Sequence, residues 1–483
     1  VIAYDYDKFL IGGKWVEPEG DGVVDVVSPA TGKVVARVPE AVSADIDKAV
    51  IAARKAWDDR RWRDQSPEDR AKVIVKLAEL LEANTEDMAQ RVTAEMGSPI
   101  TMSRGSQTAG IGLVFSFVDA LREIEFEERR QTKRGPTSIR RQPVGVVAAI
   151  SPWNGPLYLS LVKVIPALLA GCSVIAKPAI ETPLTGYRLG ELMREAGIPE
   201  GVISIIPAGR EVGQHLVAHS GIDRVSFTGS TAAGRLIAST CGQQLKGCSL
   251  ELGGKSAAVV LDDADIDVVV PAMVAGAFYN TGQACNALTR LVVHSSRHDE
   301  VVSALVDAVR KMKVGDPSDP ETVIGPLVSQ TQLDRVTRYI DIGKREGAVL
   351  ACGGGRPEGL ESGYYVEPTV FTDVHNDMTI AQEEIFGPVL SVIRYDGDDD
   401  EAISIANASI YGLHGAVFTR DTERAQRIAS RVDAGTFSIN GYVTNPDAPY
   451  GGVKSSGLGR ENGAEGLAEF LDYYVVNDPR AAI

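Results

Sequence analysis

Residues 144–177 read Val144-Gly-Val-Val-Ala-Ala-Ile150-Ser-Pro-Trp-Asn154-Gly-Pro-Leu-Tyr-Leu-Ser-Leu-Val-Lys163-Val-Ile-Pro-Ala-Leu-Leu-Ala170-Gly-Cys-Ser-Val-Ile-Ala-Lys177. Val144–Ile150 is an apolar run of buried-strand length. Leu157–Leu169 is helix-like and Gly171 closes it, after which Ser173–Ala176 is apolar again. The alternation continues. Pro183–Ala196 reads as an amphipathic helix ending at Gly197, Val202–Ile206 as a strand and Val212–Ala218 as a short helix. Arg224–Phe227 is a strand, Thr231–Cys241 a helix, and Ser249–Leu252 begins another strand. Strands and helices in strict alternation, joined by short connections, predict parallel neighbours in an open, doubly wound α/β sheet. Such sheets bind ligands beyond the C-terminal ends of their strands.

Upstream, residues 44–92 read as two helices: Ala44–Ala56, and Pro67–Leu81 behind a Ser66-Pro67 start that suits an N-cap and first helical residue. Residues 123–142 change character, from the charge cluster Glu123–Arg130 to alternating Arg, Thr and Ser. They form either a solvated two-stranded excursion or an edge that pairs with another subunit. Downstream, strand-like runs at Leu288–His294, Val389–Tyr395, Gly415–Phe418 and Thr436–Ile439 alternate with helix-like runs at Val268–Tyr279, Asp299–Met312 and Thr331–Glu346. They predict a second α/β domain. Cys352-Gly-Gly-Gly-Arg-Pro reads as a loop.

The 483 residues allow about three domains. With 44% hydrophobic and 24% charged residues the composition is that of a globular chain. A net charge of −16 argues against nucleic acid or an anionic membrane as partner, without excluding a local basic pocket for a phosphate. The five cysteines have no C-x-x-C spacing, the N-terminus does not read as a signal peptide, and no apolar run reaches membrane-spanning length. These features predict a reducing, cytoplasmic setting.

Familiar motifs fail. Gly254-Lys255-Ser256 imitates the end of a P-loop, but residue 249 is Ser where the first glycine belongs. No G-x-G-x-x-G opens the sheet, and His215 and His219 lack the glutamate of H-E-x-x-H, so no metal site is read. Four segments do carry chemistry. Thr228-Gly229-Ser230-Thr231, at a strand-to-helix turn, is either a pyrophosphate grip or a plain capped turn. Cys285, in Asn280-Thr-Gly-Gln-Ala-Cys285-Asn286, is either a nucleophile or a small buried hydrophobe. Asn154, just past the first strand, is an oxyanion donor or a turn residue. Glu251, beside Gly253-Gly254, is a base or a salt-bridged structural carboxylate.

Taken together, Pro152-Trp153-Asn154, Lys177-Pro178-Ala179, Phe227-Thr228-Gly229-Ser230, Leu250-Glu251-Leu252-Gly253-Gly254-Lys255, Gly282-Gln283-Ala284-Cys285, Glu383-Glu384-Ile385-Phe386-Gly387-Pro388 and Gly457-Leu458-Gly459-Arg460-Glu461 resemble, in order, the aldehyde dehydrogenase superfamily. The resemblance covers nearly the whole chain. It implies NAD(P)-dependent oxidation of an aldehyde to an acid. Cys285 would be the nucleophile, passing through a thiohemiacetal and a thioester. Asn154 with the Cys285 N–H would form the oxyanion hole, and Glu251 would be the base for the thiol and for hydrolytic water. Lys163 and Glu461 would help move the released proton. Along the cofactor it places Ile150, Pro152, Trp153, Lys177, Ile180, Gly209, Gly213, Phe227, Gly229, Ser230, Leu252, Glu384 and Phe386.

The resemblance further implies an NAD(P)-binding domain (1–122 and 143–253), a catalytic domain (254–450) and an oligomerisation element (123–142 and 466–483), in a homodimer or homotetramer. Two departures from the family pattern matter. Ile180 stands where NAD-preferring members often carry Glu, so NAD is expected and NADP is not excluded. Gly155 and Val162 stand where aromatics are frequent, which with Leu159, Tyr442 and Tyr450 as walls implies a wide pocket for an apolar aldehyde. A catalytically silent relative would lack the Cys or the Glu, and coenzyme A-acylating members commonly lack the Glu. This chain has both, which favours hydrolysis.

Overall fold

The computed structural model describes residues 4–477. Residues 1–3 of the expected cofactor domain and 478–483 of the expected oligomerisation element lie outside the described residues. The first sheet has eight strands in the order Gly457–Leu458, Gly247–Glu251, Arg224–Thr228, Val146–Ile150, Ser173–Lys177, Ile203–Ile205, Phe9–Ile11 and Lys14–Val16. The five predicted strands form its parallel centre, each within two residues of its expected ends. Val146–Ile150 and Ser173–Lys177 are buried along their whole length, as strands covered on both faces by helices must be.

One expectation is corrected. Ile203–Ile205 and Arg224–Thr228 are consecutive in the chain but are not neighbours. The chain recrosses the sheet and sets Arg224–Thr228 beside Val146–Ile150. Strand order therefore reverses between these two strands, and their following loops diverge to leave a crevice.

Helices Pro67–Ala83, Ile100–Ala120 and Tyr158–Ala170 cover one face through Ile74, Leu77, Phe117, Leu161 and Ile165. Helices Ser43–Asp58, Arg210–Ala218 and Thr231–Gln243 cover the other. Gly171 and Gly197 end their helices at φ 103° and 99°, left-handed values that cost glycine little. Ser66 caps the second helix by accepting from the Asp69 N–H at 3.1 Å. The two helices expected over 44–92 are joined by a third, Thr85–Met96, and a fourth, Ile100–Ala120, follows. In the fourth, Gly105, Gly110 and Gly112 dilute the apolar periodicity. Gly110 packs closely on the next helix, since a Cβ there would lie 3.2 Å from Leu161 Cδ1.

The second sheet orders Val349–Cys352, Thr369–Thr372, Val389–Tyr395, Arg290–His294, Ala257–Val260, His414–Phe418 and Thr436–Ile439. Four of these were expected. Cys352 is the buried end of a strand rather than the start of a loop. The chain passes between the sheets at 252–256 and returns through 440–456, and Ser456 joins the two passages. Its Oγ donates to Gly253 O at 2.7 Å and accepts from Gly412 N at 2.9 Å.

A third sheet pairs Glu127–Thr132 with Gly135–Pro143, the two-stranded excursion expected within 123–142, and adds Leu471–Asn477 antiparallel to it. Among the described residues no helix is long and apolar enough to cross a membrane.

Candidate active site

The crevice at the switch point opens at the ends of Val146–Ile150 and Arg224–Thr228. Past Ile150 the chain turns through Ser151, Pro152, Trp153 and Asn154, pinned by Ser151 and Ser160 hydroxyls 2.9 Å apart. Trp153 meets Phe386 edge-on at 5.3 Å. Phe227 backs Gly229, where a Cβ would fall 2.4 Å from the ring. Ser230 accepts from the Ala233 N–H at 3.3 Å, so it is the cap of Thr231–Gln243 and leaves that helix N-terminus facing the crevice. Leu252 lies against Gly234, where a Cβ would meet it at 2.5 Å.

Lys177 ends its strand with Nζ donating to Ala208 O at 2.6 Å, and burial pulls its ammonium down to about 8. Gly213 lies along its stem, and Gly209 begins the helix carrying Gly213. Ile180 packs against the sheet core. Glu384 accepts from the Gly254 N–H at 3.0 Å, and burial pushes its carboxyl up to about 7. Gly253 makes the room, since a Cβ there would stand 2.5 Å from Glu384 Oε2.

On the opposite wall Cys285 follows three left-handed residues, Asn280, Thr281 and Gly282, at φ 52°, 58° and 70°. Thr281 Oγ1 accepts from Gly325 N at 3.1 Å, and Gln283 Oε1 accepts from Val328 N at 3.0 Å. A Cβ on Gly282 would stand 2.1 Å from Gly387 O, and one on Gly254 2.3 Å from Cys285 O. Asn154 Nδ2 donates to Gln283 O at 3.0 Å, which ties the two walls together. Burial and then the Glu251 and Glu384 carboxylates push the Cys285 thiol up to about 12, against hydrogen bonds from the Tyr450 hydroxyl and the Asn286 N–H.

Glu251 ends the strand Gly247–Glu251 with both carboxyl oxygens buried and unpartnered. Burial, then Glu461, raises its carboxyl well above the ordinary range, while Lys163 and Arg460 oppose this. Lys163 is fully buried and forms an ion pair with Glu461. Glu461 in turn exchanges two backbone hydrogen bonds of 2.7 Å with Tyr450.

The expected substrate residues divide. Leu159, Val162 and Lys163 share a face of Tyr158–Ala170, and Gly155 abuts Leu159. Val162, only 3% exposed, is part of the helical core. Tyr442 lies over Gly276 and edge-on to His414. It belongs to the segment 440–450, which is held at its ends by Asn440 and Tyr450 and is exposed between them, Val443 by 65%.

Residues 15–476 match the model of the aldehyde dehydrogenase family. The chain belongs to that family. It is 44% identical over 474 residues to geranial dehydrogenase of Castellaniella defragrans, and 42% identical over 476 residues to 3-succinoylsemialdehyde-pyridine dehydrogenase of a Pseudomonas species; each alignment covers 98% of both chains. Its fold matches that of a Mycobacterium tuberculosis aldehyde dehydrogenase complexed with NAD+ at a TM-score of 0.98, with 46% identity and full coverage of both chains. It matches a mutant aldehyde dehydrogenase C of Pseudomonas syringae, complexed with NAD+ and octanal, at 0.94, with 42% identity, over 97% of this chain and 96% of the other.

Sequence reasoning missed several supports of this aldehyde dehydrogenase site. Gln332 Nε2 donates to Phe386 O at 2.7 Å, Arg335 Nε to Ile385 O at 3.2 Å, and Arg335 also to the Glu384 carbonyl. Together they hold Phe386 at a φ of 63°. Lys255 is buried with its ammonium unpartnered, and Asn280 contacts both walls. No motif marks side chains that bind backbone carbonyls.

Proposed function

We propose that this chain oxidises apolar aldehydes to carboxylic acids through a covalent intermediate on Cys285, with NAD as hydride acceptor. One observation carries the reading: Asn154, Glu251 and Cys285 come from three separate segments into one site, Asn154 through its hydrogen bond to Gln283, two residues before the thiol, and the buried Glu251 through its charge on that thiol. The crevice fits the cofactor. Gly253 makes room for the part-buried carboxylate of Glu384, which is suited to ribose hydroxyls, and Lys177 and the helix behind Gly229 and Ser230 supply positive potential for a pyrophosphate. Ile180 neither clamps a 2′-hydroxyl nor repels a 2′-phosphate. The NAD+ complexes of similar enzymes support NAD.

Glu251 takes the thiol proton, and the thiolate adds to the carbonyl carbon. The carbonyl π pair moves onto oxygen, where one Asn154 Nδ2–H and the Cys285 N–H donate to it. Asn154 spends only one N–H on Gln283, so the other is available. NAD, held by Lys177, the helix N-terminus behind Gly229 and Ser230, and Glu384, would supply the hydride acceptor, and loss of hydride from the tetrahedral carbon leaves a thioester on Cys285. Once Glu251 has passed the thiol proton on and is ionised again, it takes a proton from water, the hydroxide adds to the thioester carbonyl, the C–S bond breaks, and Glu251 returns that proton to the Cys285 sulfur as the acid departs. Glu461, paired with Lys163, is the next carboxylate for the proton.

Leu159, Tyr442 and Tyr450 are the apolar walls of the pocket, and the relatives named for geranial and complexed with octanal support this class. We assign the cofactor and catalytic domains as the sequence divides them. Leu471–Asn477, with Tyr473, Tyr474 and Val475 exposed, would join subunits in a dimer or tetramer. Five free cysteines support the cytoplasm as its compartment.

The test is cofactor reduction by the purified protein over a panel of aldehydes, with NAD and NADP in parallel and Cys285→Ala as control. Turnover of octanal or benzaldehyde with NAD, absent in the variant, is expected. A variant that still turns over would end the cysteine reading. A kcat/KM favouring succinic semialdehyde would end the apolar one.

A further inference from the structure

We infer that Asn280 is a positioning residue that fixes the oxyanion donor relative to the nucleophile; the inference rests on the cysteine reading proposed above. Asn280 opens the left-handed run at φ 52°, a conformation asparagine tolerates better than most residues. That accounts for its backbone and not for its side chain, which is almost fully buried.

Asn280 Nδ2 donates to Asn154 O at 2.8 Å and to Gln283 O at 3.4 Å. Both partners are carbonyls, so the amide nitrogen must face them. The reversed amide would set its oxygen against two others. Asn280 Oδ1 is left buried with no partner, and this cost is accepted in that arrangement. Asn154 Nδ2 donates to the same Gln283 carbonyl at 3.0 Å. The result is a closed ring, from the Asn154 carbonyl to the Asn280 amide, to the Gln283 carbonyl, and back to the Asn154 amide.

Cys285 lies two residues beyond Gln283. Thr281 and the Gln283 side chain fasten the loop on its outer side, to Gly325 and Val328. Asn280 fastens it to the first wall. With its carbonyl and its amide both held, Asn154 cannot tilt independently of the loop that carries the thiol. A donor aimed at a developing oxyanion loses much of its effect when displaced by about 1 Å.

Two variants separate side chain from backbone. Asn280→Gly keeps the left-handed backbone and removes the amide. Asn280→Asp keeps the size and much of the backbone tolerance, removes the donor, and gives the turnover readout if the glycine variant does not fold. Both are expected to lower kcat roughly 10- to 100-fold, with the aldehyde KM changed less than about threefold and NAD+ binding retained. Alkylation of Cys285 by iodoacetamide builds no oxyanion, so Asn280→Gly should react at the wild-type rate. Wild-type kcat in either folded variant would overturn the inference, as would an alkylation rate in Asn280→Gly that falls in step with kcat. Cys285→Ala in the same assay keeps the two readings apart. If it turns over, the cysteine reading has failed. If it is dead while Asn280→Gly is fully active, only the role of Asn280 has failed.

Discussion

Cys285 carries a thiol that burial, Glu251 and Glu384 push up to about 12, so the resting side chain is almost wholly protonated near neutrality. Iodoacetamide inactivation should therefore rise about tenfold per pH unit between 7 and 9, following the thiolate fraction. A rate already level at pH 7 would mean an acidified thiol. Glu251 is raised by burial and by Glu461, and it is a base only when ionised. Turnover should climb as pH passes upward through its raised pKa. Glu251→Gln should lose that limb and roughly 100-fold in kcat, which a pH–rate profile would read. Lys163 has a different place. It is fully buried against Glu461, and Lys163→Met would strand a buried carboxylate. Denaturant unfolding should register a loss of about 3–5 kcal/mol.

At the scale of elements, the turn Gly253–Gly254 shapes both halves of the site: one glycine admits the Glu384 carboxylate, the other the Cys285 carbonyl. Gly253→Ala would push Glu384 aside, and a rise in the NAD KM of about tenfold, with Cys285 alkylation unchanged, is the expected signature. Elements bounded by glycine or proline were legible in sequence. Pro183–Ala196 has the predicted ends because Pro sets its first turn and Gly197 its last. Ile100–Ala120 was not legible, because three glycines, of which Gly110 packs closely on Leu161, interrupt the apolar period. Ala257–Val260 escaped because it is only four residues long and follows Lys255 and Ser256, polar residues whose burial the sequence does not reveal. In the candidate site the single residues left a choice, since a lone Cys285 or Asn154 has an ordinary structural reading. The ordered set of segments made the family legible. The supports did not show, because the bonds of Arg335, Gln332 and Asn280 end on main-chain carbonyls that every residue possesses.

Across the whole molecule, the third sheet is the least self-sufficient part. Leu471–Asn477 leaves Tyr473, Tyr474 and Val475 at least half exposed on a strand whose other edge is unpaired among the described residues. Apolar side chains on an open strand invite a second chain. Val475→Asp with Tyr473→Asp should shift the light-scattering mass from a multiple of the chain toward a single chain, while the melting transition of the two large sheets stays.

The segment 440–450 has a consequence for how such an enzyme diversifies. It is fastened at Asn440 and at the Tyr450–Glu461 bridge, it is largely open to solvent between them, and it carries Tyr442, which we propose as a wall of the aldehyde pocket. Most of its changes fall outside both sheet cores and outside the cofactor crevice. Selection for a new aldehyde can rewrite it as one replaceable cassette, and a library confined to these residues should yield altered substrate rankings in proteins that still fold and still bind the cofactor.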